Sequence, residues 1–120
     1  PVGTPIFAVT SCGDTLWVGG WQGIEAYDLR RQVWLAPPAG RHKIGGRIYR
    51  LRADRSALWV ATEDGVYKYD LHGQRWRHFG VRDGLVGSRV YDILLDGDYV
   101  WFGTNRGLTR FYWNNPYRAD

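Results

Sequence analysis

Apolar and polar residues alternate along this chain in short bursts, and each burst is closed by glycine, aspartate or another turn former. Runs with a period of two predict β-strands, and the punctuation between them predicts tight connections instead of helices. The bursts recur. Leu16-Trp17-Val18, Leu58-Trp59-Val60 and Val100-Trp101-Phe102 place three tryptophans 42 residues apart. At the same offset, without a gap, Ile6, Ile48 and Val90 align, as do Phe7, Tyr49 and Tyr91, then Val9, Leu51 and Ile93. Gly23, Gly65 and Gly107 follow each Trp and lead into Ile24, Val66 and Leu108, and Tyr27, Tyr69 and Phe111 close the series. A fixed period of this length is the mark of one supersecondary unit used repeatedly.

In the middle unit the pattern predicts four strands: A over Arg47 to Ala53, B over Ala57 to Thr62, C over Val66 to Leu71 and D over Gln74 to Phe79. Asp54-Arg55-Ser56 joins A to B, where a short carboxylate can bond the backbone, and Asp96 stands at the same place in the third unit. Glu63-Asp64-Gly65 joins B to C, with Gly65 suited to a positive φ. His72-Gly73 is expected to be a two-residue hairpin turn into D. Strand B is apolar on both faces, since Leu58 and Val60 point one way and Trp59 the other. A sheet greasy on both sides must be sandwiched between neighbours. Four strands per repeat and a 42-residue period therefore predict an all-β fold of β-propeller blades.

The three units fall at about 5–36, 47–80 and 89–118, and the third is expected to lack its outer strand. Where D should run there, Pro116 and Arg118 replace the Gln and Trp of the other units. Propellers close with roughly 4–8 blades. A three-blade arc presents two end faces of about 300 Å² each, from four strands ~4.8 Å apart. At ~25 cal/mol per Å² that is on the order of 7 kcal/mol per face. Both faces are therefore expected to be covered, by the rest of a longer propeller chain or by identical subunits.

Composition narrows the function classes. The chain has 120 residues, one domain's worth, with 7 Trp, 8 Tyr and 16 Gly, which suits short strands and turns. Cys12 is the single cysteine, so neither an internal disulfide nor a Cys-based zinc module can form. No apolar run approaches the ~20 residues of a helical membrane span. Pro1-Val2 opens the sequence without a basic, apolar leader. The net charge of +4 and pI near 9.5 raise nucleic-acid binding. That reading is disfavoured, because no basic run exceeds Arg30-Arg31 and Asp and Glu are interspersed throughout.

Three stretches carry a more specific likeness. Asp83-Gly84-Leu85-Val86-Gly87-Ser88-Arg89-Val90, then Asp96-Gly97-Asp98-Tyr99-Val100-Trp101-Phe102-Gly103-Thr104, then Gly107-Leu108-Thr109-Arg110-Phe111, resemble the two-component regulator propeller repeat. The second unit matches through Leu58-Trp59-Val60-Ala61-Thr62 and Gly65-Val66-Tyr67-Lys68-Tyr69-Asp70. The resemblance implies an extracytoplasmic (periplasmic or extracellular) sensor segment of a bacterial signalling protein, without catalysis or cofactor, binding a ligand or a partner. The first unit departs from the pattern, with Cys12 where Asp54 and Asp96 stand and Gly20 where Thr62 and Thr104 stand.

Ligands of such folds meet the face where the D–A and B–C loops gather. There the candidate binding residues are Trp21, Arg47, Arg89, Asn105 and Arg106, accompanied by Gln22, Arg41, His42 and Lys43. Arginine offers a planar bidentate fork and tryptophan a stacking platform, which suits a small anionic or sugar-like ligand; the family resemblance implies an oligosaccharide as one such ligand. Trp21 stands out because the other units place Glu63 and Asn105 there, so the fold does not require an aromatic. The histidines show no metal-ligand spacing, and no catalytic or metal site is expected. Two other readings remain: an assembly scaffold, and a lyase-type propeller enzyme, for which only His42 sits on the loop face.

Overall fold

The structure, a computed structural model, describes residues 5–21, 23–36, 44 and 46–117. The chain forms three antiparallel sheets, each a meander of consecutive strands. The first contains β1 (Ile6–Cys12), β2 (Thr15–Gly20), β3 (Gly23–Asp28) and β4 (Val33–Trp34). The second contains β5 (Ile48–Ala53), β6 (Ala57–Thr62), β7 (Gly65–Asp70) and β8 (Arg75–Phe79). The third contains β9 (Val90–Asp96), β10 (Tyr99–Thr104) and β11 (Gly107–Tyr112), and has three strands among the described residues. No α-helix occurs among them; a single 3-10 turn at Val81–Asp83 lies in the connection from the second sheet to the third. These are propeller blades. Their first strands, β1, β5 and β9, pack side by side along the inner edge of the arc.

The two-faced apolar pattern of the B strands becomes two cores. Trp17, Ile24 and Ala26 of the first blade meet Leu51, Leu58, Val60, Tyr67 and Tyr69 of the second. Trp59, Ala61 and Val66 of the second blade meet Ile93, Val100, Phe102 and Phe111 of the third. Trp17 and Trp59 thus point toward the following blade, where Leu58 and Val60, then Val100 and Phe102, receive them. Leu85, in the connection between blades, plugs the second of these cores. Among the described residues no blade follows Trp101. Its face carries Leu94 and Leu108, each 63% exposed, with the Arg110 guanidinium 3.6 Å from the Tyr99 ring centroid. On the opposite end Val9 is 57% exposed.

The turns hold two surprises. Asp54 Oδ1 accepts hydrogen bonds from the backbone N–H groups of Ser56 (2.8 Å) and Ala57 (2.9 Å), as its turn position predicts. Asp96 instead accepts from the Trp101 indole Nε1–H at 3.0 Å, because Gly97 at φ 62° makes the bend itself. The expected two-residue hairpin at His72-Gly73 is in fact a four-residue turn from Leu71 to Gln74 between paired Asp70 and Arg75. Gln74 there adopts φ 53°, and Gln32 repeats this in the first blade at φ 59°. Both turns are organised by an aspartate. Asp28 Oδ1 accepts from Arg30 and Arg31 N–H, and Asp70 Oδ1 from His72 and Gly73 N–H.

At Asp70 these bonds favour the charged carboxylate. The Gly73 N–H holds the Asp70 pKa below its ordinary value, helped by His72, Lys68 and Arg77 and opposed by partial desolvation. A carboxylate depressed on folding contributes stability that is fully present above its unfolded pKa of about 3.9 and is lost as pH falls through the folded value. Asp70→Asn should therefore lower stability at neutral pH and flatten the stability–pH profile below about pH 4, read by urea titration of both proteins. Parallel profiles would exclude this role for the carboxylate.

Candidate functional site

The site grows from an irregularity in the inner strands. In β1 the pairing with β2 runs Ile6 to Gly20 and then Ala8 to Gly19, so Phe7 is an extra residue. In β5, Ile48 pairs Thr62 and Arg50 pairs Ala61, which leaves Tyr49 extra. In β9, Val90 pairs Thr104 and Asp92 pairs Gly103, which leaves Tyr91 extra. Each blade thus carries a β-bulge at the same register, and each bulge holds an aromatic residue. Bulges re-aim side chains, and they gather at binding sites.

The three re-aimed rings form a row. Tyr49 and Tyr91 meet edge to face at 5.1 Å. The Arg47 guanidinium lies 4.7 Å from the Phe7 ring centroid and 5.5 Å from that of Tyr49, bridging the first two blades. Trp21 extends the row, with its ring edge-on to Phe7 at 4.9 Å and 65% exposed. Beside it a hollow of about 290 Å³ opens between β1 and β5, lined by Phe7, Tyr49 and Arg50 among others. Deeper along the inner strands, Asp92 forms ion pairs with Arg50 (3.2 Å) and Arg52 (3.9 Å), across the second and third blades.

The local sequence explains why Trp21 is free to join. In the second blade the B–C turn is clasped to the start of β5: Glu63 N–H donates to the Arg47 carbonyl at 2.9 Å, and Arg47 N–H to Glu63 Oε2 at 3.4 Å. Asn105 and Arg89 repeat this clasp in the third blade, at 3.0 and 3.1 Å. A threonine orders each of these turns: Thr62 Oγ1 donates to the Gly65 carbonyl and accepts from Asp64 N–H, and Thr104 does the same with Gly107 and Arg106. In the first blade all the equivalent positions change. Pro5 replaces the arginine and has no N–H to clasp. Gly20 replaces the threonine, and a Cβ there would lie 2.5 Å from the Pro5 carbonyl oxygen. With no clasp to make, position 21 carries an indole instead of Glu or Asn.

Of the residues expected on this face, Trp21 and Arg47 come together around Phe7. Arg89 immediately precedes β9, two residues before Tyr91, and its backbone is held by Asn105. The Asn105 side chain is thereby engaged in the fold. Arg106 is exposed on the third B–C turn, with its N–H on Thr104. Gln22, Arg41, His42 and Lys43 lie outside the described residues. The sequence reading passed over Phe7, Tyr49 and Tyr91 as an apolar column. Its being aromatic in all three units was the available signal. Among the described residues no three His, Cys, Asp or Glu side chains gather to hold a metal ion, and no helix is long and apolar enough to cross a membrane.

With blades, bulged inner strands and a loop-face row in place, the fold is that of β-propeller blades. No family model matches the chain, and no curated protein does. Solved structures do. The chain is similar to the extracellular domain of BT4673 from B. thetaiotaomicron, described as a proposed hybrid two-component system, at 24% identity and TM-score 0.78, over 96% of this chain and 16% of that one. It is similar to PorZ, an essential bacterial surface component of the type-IX secretion system of Porphyromonas gingivalis, at 19% identity and TM-score 0.73, over 92% and 18%. The computationally designed Ika8 protein matches at 15% identity and TM-score 0.66, over 90% and 33%. The chain spans less than a fifth of the first two.

Proposed function

We propose that this chain is a non-catalytic, ligand-binding segment of an extracytoplasmic sensor, with the aromatic and arginine row as its recognition surface. The observation that carries this reading is the triple bulge. Three blades spend a strand irregularity at one register to bring Phe7, Tyr49 and Tyr91 to one place, where packing alone would be served by regular strands. The extracellular and surface settings of BT4673 and PorZ support a place outside the cytoplasm. The two uncovered end faces support further blades on either side, completing the ring.

The test is a thermal-shift screen of small saccharides and organic acids against the wild-type chain and a Trp21→Ala/Tyr91→Ala double variant. A ligand at a hundredfold excess over its dissociation constant adds ~2.7 kcal/mol, roughly a 10 °C rise in Tm for a chain of this size. At least one compound should raise the wild-type Tm and lose its effect in the double variant. If no compound shifts the wild type, or the variant responds equally, the ligand-binding reading is wrong and the assembly scaffold replaces it.

A further inference from the structure

We infer that the Trp101 face of this chain stacks on the Val9 face of a second copy, so that two chains close head to tail into one ring; this rests on the reading that further blades complete the ring. The two internal joints define what each side of a joint supplies. The leading side gives Trp17 and Ile24 in the first joint, and Trp59 and Val66 in the second. The receiving side gives Leu51 and Leu71, then Ile93 and Trp113. At the repeat offset of 42 residues, the leading pair of the third blade is Trp101 and Leu108, and the receiving pair of the first is Val9 and Leu29. Leu108, Val9 and Leu29 are 63%, 57% and 44% exposed, whereas Ile24, Val66, Leu51 and Ile93 in the joints are buried. Each end face therefore presents one half of the same joint, and the halves match.

Charge sets the direction of stacking. Arg110 pairs with Trp101 and so lies on the leading face; Glu25 pairs with Val18, as Val9 does, and so lies on the receiving face. Two leading faces would bring Arg110 to Arg110, and two receiving faces Glu25 to Glu25. Head-to-tail stacking sets a basic face against an acidic one. A cation is no obstacle inside a joint, since Lys68 occupies the Arg110 column and is only 9% exposed beside Trp59 and Trp113. Area sets the number of copies. A face of about 300 Å² makes a joint of ~600 Å² counting both sides, below the ~1,000 Å² of a specific interface. A closed pair forms two joints at once, for about 1,200 Å². Its six blades fall within the roughly 4–8 that close. Pairing of that size depends on concentration: dilute chains stay single with the Trp101 face open, and concentrated chains associate.

Sedimentation equilibrium of the chain from about 5 to 500 µM tests this. The weight-average mass should rise from one chain to two and stop there. Leu108→Arg and Val9→Arg, on opposite faces, should each weaken pairing ~10-fold or more, because each puts an unpaired charge into both joints. Trp21→Ala, on the loop face, should leave pairing unchanged, and melting curves establish that each variant is folded. A mass that stays at one chain overturns the inference and leaves the two faces to blades of another sequence. A mass that climbs past two chains, or pairing that Trp21→Ala abolishes, overturns it as well. So does an effect of Leu108→Arg with none of Val9→Arg, which would mean a symmetric pairing of leading faces. The small-molecule screen, run on dilute single chains, judges the recognition surface separately.

Discussion

Trp59→Ala is expected to cost the chain about 3–5 kcal/mol of unfolding free energy, whereas Trp101→Ala, the same substitution one repeat later, should cost no more than about 1 kcal/mol. The two tryptophans occupy one repeat position on one type of strand, and they differ in what stands in front of them. Trp59 is buried between blades, against Phe79 at 6.3 Å, Phe102 at 6.0 Å and Trp113 at 6.4 Å. Its removal leaves a large void lined by side chains of two hydrogen-bonded sheets, which cannot close on it without breaking their pairing. It also strips a ring beside Lys68, a residue only 9% exposed whose ammonium lies 5.4 Å from the Trp59 ring centroid and 4.4 Å from that of Trp113. Trp101 is half-buried on an open face, with its indole N–H bonded to Asp96, and its truncation makes no cavity. Urea denaturation of the two variants reads the difference. A small loss at Trp59 would contradict the stacked-blade core. Equal large losses would show that the end face of the third blade is covered in solution.

The repeat was legible because Trp, Gly and apolar residues sit in columns with a constant offset, and the two-faced B strand required neighbours on both sides. The bulges were hidden. A bulge leaves only an extra residue in a run, and Ile48-Tyr49 or Val90-Tyr91 reads as two adjacent apolar positions of an ordinary strand. The register that exposes them depends on pairing with β6 and β10. The clasp was hidden for a similar reason. Asn105 and Arg89 are 16 residues apart, and nothing local marks Asn105 as an acceptor for the Arg89 N–H. The same clasp explains the candidate that the sequence did single out. Trp21 looked out of place because the residues that make the clasp in the other blades are replaced together at positions 5, 20 and 21. The C–D turn was misjudged because Gln32 and Gln74 take a positive φ that glutamine adopts at a cost. The Asp28 and Asp70 carboxylates bond the backbone ahead of them and hold that geometry.

Gly65→Ala should cost about 2–5 kcal/mol, combining a left-handed backbone conformation (~1–2 kcal/mol) with steric displacement of its neighbours (~1–3 kcal/mol). Gly97→Ala should cost only the first part. Both glycines have positive φ, at 78° and 62°, so both substitutions place an L side chain in the same unfavourable region. Around Gly97 a Cβ meets nothing within 4 Å. At Gly65 it would collide with the backbone carbonyl oxygen of Phe79, which cannot move without dragging β8. The turn is tied down on several sides. Gly65 N–H donates to the Ser88 carbonyl at 2.6 Å, His78 Nε2–H donates to the Asp64 carbonyl at 2.6 Å, and Thr62 Oγ1–H donates to the Gly65 carbonyl at 3.0 Å. The Ser88 bond also ties this turn to the third blade's bulge, because the next residue, Arg89, leads into the strand that carries Tyr91. Shifting the turn by a few tenths of an ångström therefore reaches the aromatic row as well as the second blade. Denaturation midpoints of the two variants separate the steric part from the conformational part. Amide chemical shifts of Arg89 and Tyr91 should move in Gly65→Ala and stay in place in Gly97→Ala. Equal midpoints for the two would mean that the Phe79 carbonyl yields freely and that the turn does not brace the site.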